Sequence, residues 1–379
     1  MKSDMPGGRL TNRPSARAGF SRTVLEWYRR HHRRLPWRAT RDPYGIWISE
    51  IMLQQTTVSA VIPHYEKWME IFPDVRSLAR SSAQKVLKAW QGLGYYQRAR
   101  NLHQTARIVV RDFGGRFPSD HESLSVLPGF GPYTTAAVLS LAFDLPYPVL
   151  DANVRRTAMR ILAIEDESGR RAEKTVMAFL EDVLPQDNPG LFNQAMMELG
   201  SLVCRPTSPF CLLCPVADHC LAFDRGIQET IPPPEKRSWQ RIDTVVAVIR
   251  DGDKILIQKR PAKGLFAGLW EFPGGKREKG ETLERALARE LREELGVNLL
   301  EARFLLKVSH SYTQFQATLH AYEVWLENQP RLRRDRHRWL TPGRLGHYPF
   351  HSGSAKIVRY LEKLEPETAK SGKPRGRQL

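Results

Sequence analysis

Apolar residues recur at three- and four-residue spacing from residue 21 to about 224, as in Val24, Leu25 and Tyr28, in Val86, Leu87 and Trp90, and in Ala137 and Leu141. That spacing predicts helices burying one stripe each, and Pro or Gly marks the breaks between them. No run in this stretch alternates with the period of a strand. Ile231-Pro232-Pro233-Pro234-Glu235-Lys236 then reads as a stiff, extended linker over residues 231–240. Beyond it the texture changes. Residues 244–249 and 254–258 are β-rich runs around Asp251-Gly252-Asp253, a hairpin signal, and residues 317–325 form another strand candidate. One helix is predicted between them, over 282–295. The pattern therefore predicts a helical domain over 21–230 followed by a separate α+β domain over 241–365. Residues 1–20 and 366–379 are rich in Gly, Pro, Ser, Lys and Arg, with too few large apolar residues to offset ordering, and are expected to be basic disordered tails.

A chain of 379 residues agrees with two domains at roughly 150 residues each. Lys and Arg number 58 against 41 Asp and Glu, a net charge of +17, so the field of the molecule attracts a polyanion rather than an acidic protein. The longest apolar stretches, such as 245–249, fall far short of the ~20 residues of a membrane-spanning helix, so no membrane partner is expected. The first twenty residues carry Lys2, Arg9, Arg13 and Arg17 without the apolar core of a secretory signal; an Arg-rich transit peptide stays open.

All the cysteines, Cys204, Cys211, Cys214 and Cys220, fall within residues 204–220. A secreted disulfide framework would spread them along the chain, so a metal site in a cytosolic protein is the better reading. Four thiolates suit zinc or an iron–sulfur cluster. The unequal gaps C-x6-C-x2-C-x5-C in one compact loop fit a cube-shaped cluster better than the paired knuckles of a zinc ribbon.

Leu127-Pro128-Gly129-Phe130-Gly131-Pro132-Tyr133-Thr134 joins two helical stretches through a turn containing Gly129 and Gly131, whose amides can approach a phosphate. It reads either as a helix-hairpin-helix gripping the DNA backbone or as an ordinary helix connection. Asp151 follows an apolar stretch and is either an N-cap or a functional acid. Glu50, flanked by large apolar residues on a predicted helix, is expected to have its pKa raised by desolvation toward the range of a general acid. Two carboxyls in different environments are what cleavage of a glycosidic bond through an oxocarbenium-like state requires.

Together with Trp37-Arg38, the run Ser49-Glu50-Ile51-Met52-Leu53-Gln54-Gln55-Thr56, and Gly92-Leu93-Gly94-Tyr95-Tyr96 followed by Arg98-Ala99-Arg100-Asn101-Leu102, these features resemble the adenine DNA glycosylases of the MutY type over about residues 21–349. The resemblance implies a glycosylase acting as a monomer in base excision repair in the bacterial cytoplasm, on double-stranded DNA with adenine mispaired with 8-oxoguanine or guanine. It implies a 4Fe-4S cluster on the four cysteines. Glu50 would protonate adenine and then serve the water step, and Asp151 would stabilise or trap the sugar cation. Tyr133 and Asn153 would support that centre, Arg38 would contact the flipped adenine, and Gln54 and Tyr95 would wedge into the stack. Ala152 stands where many relatives have Gly. Endonuclease III-type lyases, with the same hairpin and cluster, carry a Schiff-base lysine two residues after the second hairpin glycine. Tyr133 occupies that place here, which implies a monofunctional enzyme.

Gly275-x5-Glu281-x7-Arg289-Glu290-Leu291-x-Glu293-Glu294-x-Gly296-Val297 fills every position of the Nudix signature. Glu290, Glu293 and Glu294 are expected on one face, suited to Mg²⁺ beside a diphosphate. A nucleotide-pool hydrolase is thus a competing function; in the glycosylases the resemblance points to recognition of 8-oxoguanine instead. His310-Ser311-Tyr312-Thr313-Gln314-Phe315 resembles the segment that probes 8-oxoguanine, with Gln314 replacing a histidine. Tyr312, Thr313 and Gln314 are therefore candidate base contacts. The departure implies a smaller preference for 8-oxoguanine over guanine than in a Gln314→His variant, by about 1 kcal/mol, the scale of one hydrogen bond.

Overall fold

The computed structural model describes residues 14–166, 170–233, 239–312 and 315–368. The chain divides into two compact units, Met1–Arg80 with Asn101–Lys236, and Ser81–Arg100 with Arg237–Leu379. Helices follow in the order α1 (Pro14–His31), α2 (Pro43–Leu53), α3 (Val58–Ile71), α4 (Val75–Arg80), α5 (Ala83–Ala89), α6 (Gln97–Asp112), α7 (His121–Ser125), α8 (Pro132–Phe143), α9 (Ala152–Ile161), α10 (Arg170–Val183), α11 (Pro189–Leu202) and α12 (Leu221–Asp224). None of the helices among the described residues is long and apolar enough to cross a membrane.

The first unit is all helical, and its main core packs α1, α9, α10 and α11 together. Helix α2 departs from the one-striped pattern. Asp42 caps it, accepting from the amides of Tyr44 and Gly45, Pro43 opens it, and every residue from Tyr44 to Met52 is buried. Such a helix is a core element, so its one carboxyl, Glu50, is carried out of water by its neighbours.

The expected boundaries of the helical domain are corrected at both ends. The tail expected over residues 1–20 is interrupted by α1, which starts at Pro14; Phe20 is fully buried and packs edge-on against Phe179, with ring centroids 5.8 Å apart. One aromatic anchor offsets the ordering that an averaged composition does not account for. The linker expected from residue 231 starts later. Ile231 is fully buried in the helical core, and its carbonyl accepts from Arg160 Nε at 2.7 Å. Residues 234–238 of that linker lie outside the described residues, as do 1–13 and 369–379 of the tails.

The second unit is built on a mixed sheet of β1 (Gln240–Asp251), β2 (Lys254–Lys259), β3 (Trp270–Glu271), β4 (Leu299–Tyr312), β5 (Phe315–Leu326) and β6 (His337–Leu340). The order is β3-β2-β1-β5-β4, with β6 also on β2; β1 and β5 run parallel and the other pairs antiparallel. Alternation along β1 sends Val245, Ala247 and Ile249 toward α13 (Leu283–Leu295), and Val246 and Val248 to the face covered by Ile357, Val358 and Leu361 of α15 (Ser352–Thr368). A strand buried on both faces reads as a continuous apolar run. The short helix α14 (Pro342–Leu345) precedes α15, which extends to Thr368 inside the expected C-terminal tail. The hairpin expected at Asp251-Gly252-Asp253 is present, with Asp251 opposite Lys254 and Gly252 at φ +58°.

Candidate active site

Glu50 faces α8, where the Tyr133 hydroxyl donates a hydrogen bond to its Oε2. Burial pushes the Glu50 carboxyl up to about 7; the Tyr133 hydrogen bond and the Arg38 charge oppose the rise, and the Asp151 charge adds to it. Tyr133 is itself held well above the usual phenol range, by burial first and then by the two nearby acids. It is therefore a neutral hydroxyl donor.

Asp151 turns out to be an N-cap as well as a neighbour of Glu50. Its Oδ1 accepts from the Val154 amide at 2.6 Å at the start of α9, and its Oδ2 accepts from Asn153 Nδ2 at 2.9 Å. Burial pushes this carboxyl up, opposed by those two donors and by Arg156. Arg156, which the sequence reading did not single out, donates to Asn153 Oδ1 at 3.0 Å and to the Cys204 carbonyl at 2.8 Å. Its spacing of three from Asn153 on one helix was the available signal.

Arg38 ends a short 3₁₀ turn after Pro36, and its Nη2 meets Glu198 Oε2 at 2.9 Å. Arg33 binds the same carboxylate through Nε at 2.9 Å and Nη2 at 2.6 Å. Burial opposes the Glu198 charge, but hydrogen bonds from Arg33 and Arg38 outweigh it and hold the carboxyl down at about 2. Glu198 was missed by the sequence reading. Its signal was an acid among apolar residues, Met196-Met197-Glu198-Leu199, on a core helix. Gln54 follows α2 directly, and its Nε2 donates to Thr134 Oγ1 at 3.2 Å.

The hairpin turn lies between α7 and α8. Gly129 adopts φ +86°, and a Cβ there would stand 3.0 Å from Asn101 Cβ; a Cβ on Gly131 would meet nothing. Gly131 caps α8 with no side chain, which leaves the first amides of that helix open to an anion.

The four cysteines are free of disulfides and line one cavity with Arg160, Pro209 and Phe223. Arg160 Nη1 donates to Cys204 Sγ at 3.4 Å. Four soft sulfur donors beside a buried guanidinium fit an anionic iron–sulfur group. Among the described residues no three or more His, Cys, Asp or Glu converge on a single metal ion, whereas an iron–sulfur cluster takes its thiolates on separate irons.

In the second unit, Tyr95 sits at φ +46° between Gly94 and Tyr96, 40% exposed, with the Arg98 guanidinium 5.4 Å from its ring centroid. The Nudix-signature acids are engaged by protein donors. Arg289 binds Glu281 at 3.1 Å, Glu290 at 2.9 Å and Glu293 at 3.3 Å, while Glu294 accepts from Gln258 Nε2 at 2.8 Å and the Gly274 amide at 3.0 Å. Tyr312 ends β4 opposite Phe315; Thr313 and Gln314 lie outside the described residues.

Residues 48–186 match the model of the HhH-GPD superfamily base excision DNA repair proteins, and residues 244–360 match the NUDIX domain. The chain is 33% identical to the adenine DNA glycosylase of Homo sapiens across 93% of this chain and 76% of that protein. It is 34% identical to the adenine DNA glycosylase of Buchnera aphidicola from Acyrthosiphon pisum, across 77% of this chain and 83% of that one. The solved structure of a thermostable thymine-DNA glycosylase covers 55% of this chain and 97% of its own length, with TM-score 0.52 and 32% identity. With a raised, buried acid beside a helix-capping aspartate, a superfamily match over that centre and relatives spanning nearly the whole sequence, the chain belongs to the adenine DNA glycosylases of base excision repair.

Proposed function

We propose that this glycosylase removes adenine paired with 8-oxoguanine or guanine in double-stranded DNA, acting as a monomer and without lyase chemistry. The observation that carries the reading is Glu50, a buried acid with its pKa at about 7 under a Tyr133 hydrogen bond. Adenine is a poor leaving group. Glu50 gives its proton to a ring nitrogen, the glycosidic bond breaks with its electron pair going to the base, and the base leaves neutral. The sugar is left as an oxocarbenium ion. Asp151, held at the N-terminus of α9 by two donors, places a carboxylate against that charge. The Glu50 carboxylate then takes a proton from the attacking water, which restores the acid.

Gly129 and Gly131 grip the backbone phosphates, while Gln54 and Tyr95 fill the stack as adenine swings out. Flipping costs a few kcal/mol, least at a mispair. Arg38, braced by Glu198, meets the flipped base. Cleavage of duplexes with adenine opposite 8-oxoguanine, adenine opposite guanine, and oxidised pyrimidines, with and without alkali, tests the reading. Strand breaks are expected on the two adenine mispairs only, and only after alkali, because Tyr133 stands where a lyase has its lysine. Breaks without alkali, or a borohydride-trapped protein–DNA adduct, would defeat the monofunctional part.

Cys204, Cys211, Cys214 and Cys220 would hold a 4Fe-4S cluster, which supplies covalent bracing of the loop between α11 and α12. Purified protein is expected to be brown, with iron and labile sulfide each near four per chain, as that cluster holds. Stoichiometric zinc with no visible absorption would reject it.

The Nudix-like unit reads the base opposite adenine, through Tyr312, Thr313 and Gln314, and does not hydrolyse nucleotides. Support comes from Arg289, which pairs with Glu290 and Glu293 of the signature. Incubation with oxidised dGTP and Mg²⁺ is expected to release no pyrophosphate above background. Vigorous hydrolysis abolished by Glu293→Gln would favour the nucleotide-pool reading.

A further inference from the structure

Residues 81–100 are flanked on both sides by the helical unit in sequence, yet they pack with the C-terminal unit. They carry the Tyr95 loop. Its backbone is unusual: Gly92 at φ +113°, Gly94 at +70° and Tyr95 at +46° are all left-handed, and at Tyr95 no glycine relieves the strain. A non-glycine residue keeps such a conformation only where its surroundings over-determine it. Part of that support is local, since Trp90 Nε1 donates to the Gly94 carbonyl at 2.9 Å and Arg98 Nη2 to the Leu93 carbonyl at 3.0 Å.

The rest comes from the Nudix-like part of the same unit. Tyr96, adjoining the wedge candidate, is 3% exposed and donates its hydroxyl to the Phe350 carbonyl at 3.0 Å. Lys88 Nζ donates to the Tyr348 carbonyl at 3.4 Å, and Arg100 Nη2 to the Ala267 carbonyl. All three acceptors are main-chain carbonyls, so these contacts report the shape of the Nudix-like backbone. Phe350 is not peripheral there. It is buried in the core that contains Trp270, Val308, Ala317 and Leu319. Val308 and Ala317 lie on β4 and β5, the strands whose ends meet at Tyr312 and Phe315, at the segment read as the 8-oxoguanine probe. Packed interiors transmit displacement rather than absorb it.

We infer that Tyr96 is a positioning residue whose hydrogen bond to Phe350 lets the recognition unit set the Tyr95 loop, so that wedge insertion depends on the base opposite adenine. This rests on Tyr95 being the wedge and on the probe reading 8-oxoguanine. A catalytic role for Tyr96 is not implied.

The test uses the full-length protein and duplexes in which 2′-fluoroadenosine, which resists excision, is opposite 8-oxoguanine or guanine, with 2-aminopurine stacked beside it. Fluorescence rises as the stack is wedged open. Tyr96→Phe, which keeps the buried ring, is expected to lower the signal and affinity on the 8-oxoguanine duplex by about fivefold, the scale of one hydrogen bond, while the guanine duplex changes little. Equal loss on both duplexes marks a merely structural contact and overturns the inference, as does no loss. Tyr95→Ala separates the two claims. If it abolishes the signal while Tyr96→Phe has no effect, the coupling alone fails; if Tyr95→Ala keeps the full signal, the wedge reading fails and the coupling with it. Should Tyr96→Phe not fold, Lys88→Met removes a second, half-buried link and is judged by the same mispair-selective loss.

Discussion

Glu50→Gln is expected to bind mispaired duplex almost as wild type does and to lose about 10³-fold in single-turnover excision, within the usual range for a positioned acid–base group. Glutamine keeps the shape of the side chain on the buried helix α2 and can still accept from Tyr133. It cannot give up a proton to the departing base. The same group predicts the pH profile. The active form is the protonated one, burial places its pKa at about 7, and the wild-type rate should hold just below that point, until Asp151 takes up a proton, and fall roughly tenfold per unit above it. The residual rate of Glu50→Gln should be flat across the same range. An unchanged rate in the variant, or a wild-type profile with no alkaline limb near neutrality, would remove Glu50 from the proton transfer.

Glu198→Ala should unfold more easily by roughly 3–5 kcal/mol, the cost of removing one partner from a buried charge network. The side chain of Glu198 is fully buried, and Arg38 is only 13% exposed; Arg33, at 33%, can turn partly to water and keeps the loss toward the lower figure. Alanine would leave two guanidinium groups facing a void. The pH sign follows from a carboxyl held at about 2 in the fold, below its ordinary value in the unfolded chain. Its contribution is present above the unfolded value of about 4.3 and is lost as pH falls toward the folded one. Denaturant midpoints at about pH 7 and about pH 3 check both points: the wild type should lose more than the variant on acidification. Equal midpoints at neutral pH would show that water replaces the carboxylate at no cost.

Local patterns singled out most of the residues that the structure gathers around Glu50. Glu50 was readable because its apolar neighbours announce desolvation, and Asp151 because it follows an apolar run at a helix start. Of its two readings the cap is present, and the same carboxyl lies close enough to Glu50 to raise that group's pKa. The pairing of Glu198 with Arg33 was not readable. The two lie 165 residues apart in the chain, and no periodicity reports which charges a fold will bury together. Strand β4 escaped for a different reason. Glu301, Arg303 and Lys307 dilute its apolar content, Leu300 and Phe304 are exposed, and register shifts at residues 299–301 and 304–306 break the alternation. The membership of residues 81–100 in the second unit was invisible too, because its attachments run through main-chain carbonyls that have no sequence signature.

That Asp151 caps α9 as well as serving the sugar cation in the proposed mechanism has a consequence for cells carrying variants of this enzyme. Asparagine is as good an N-cap as aspartate, so Asp151→Asn should be made in normal amounts, survive quality control and still settle on its lesions. Such a protein would not simply be missing. It would sit on a mispair it cannot process and shield it from other repair, so its harm would persist beside a working copy. Screening for abundance or thermal stability would pass it as healthy.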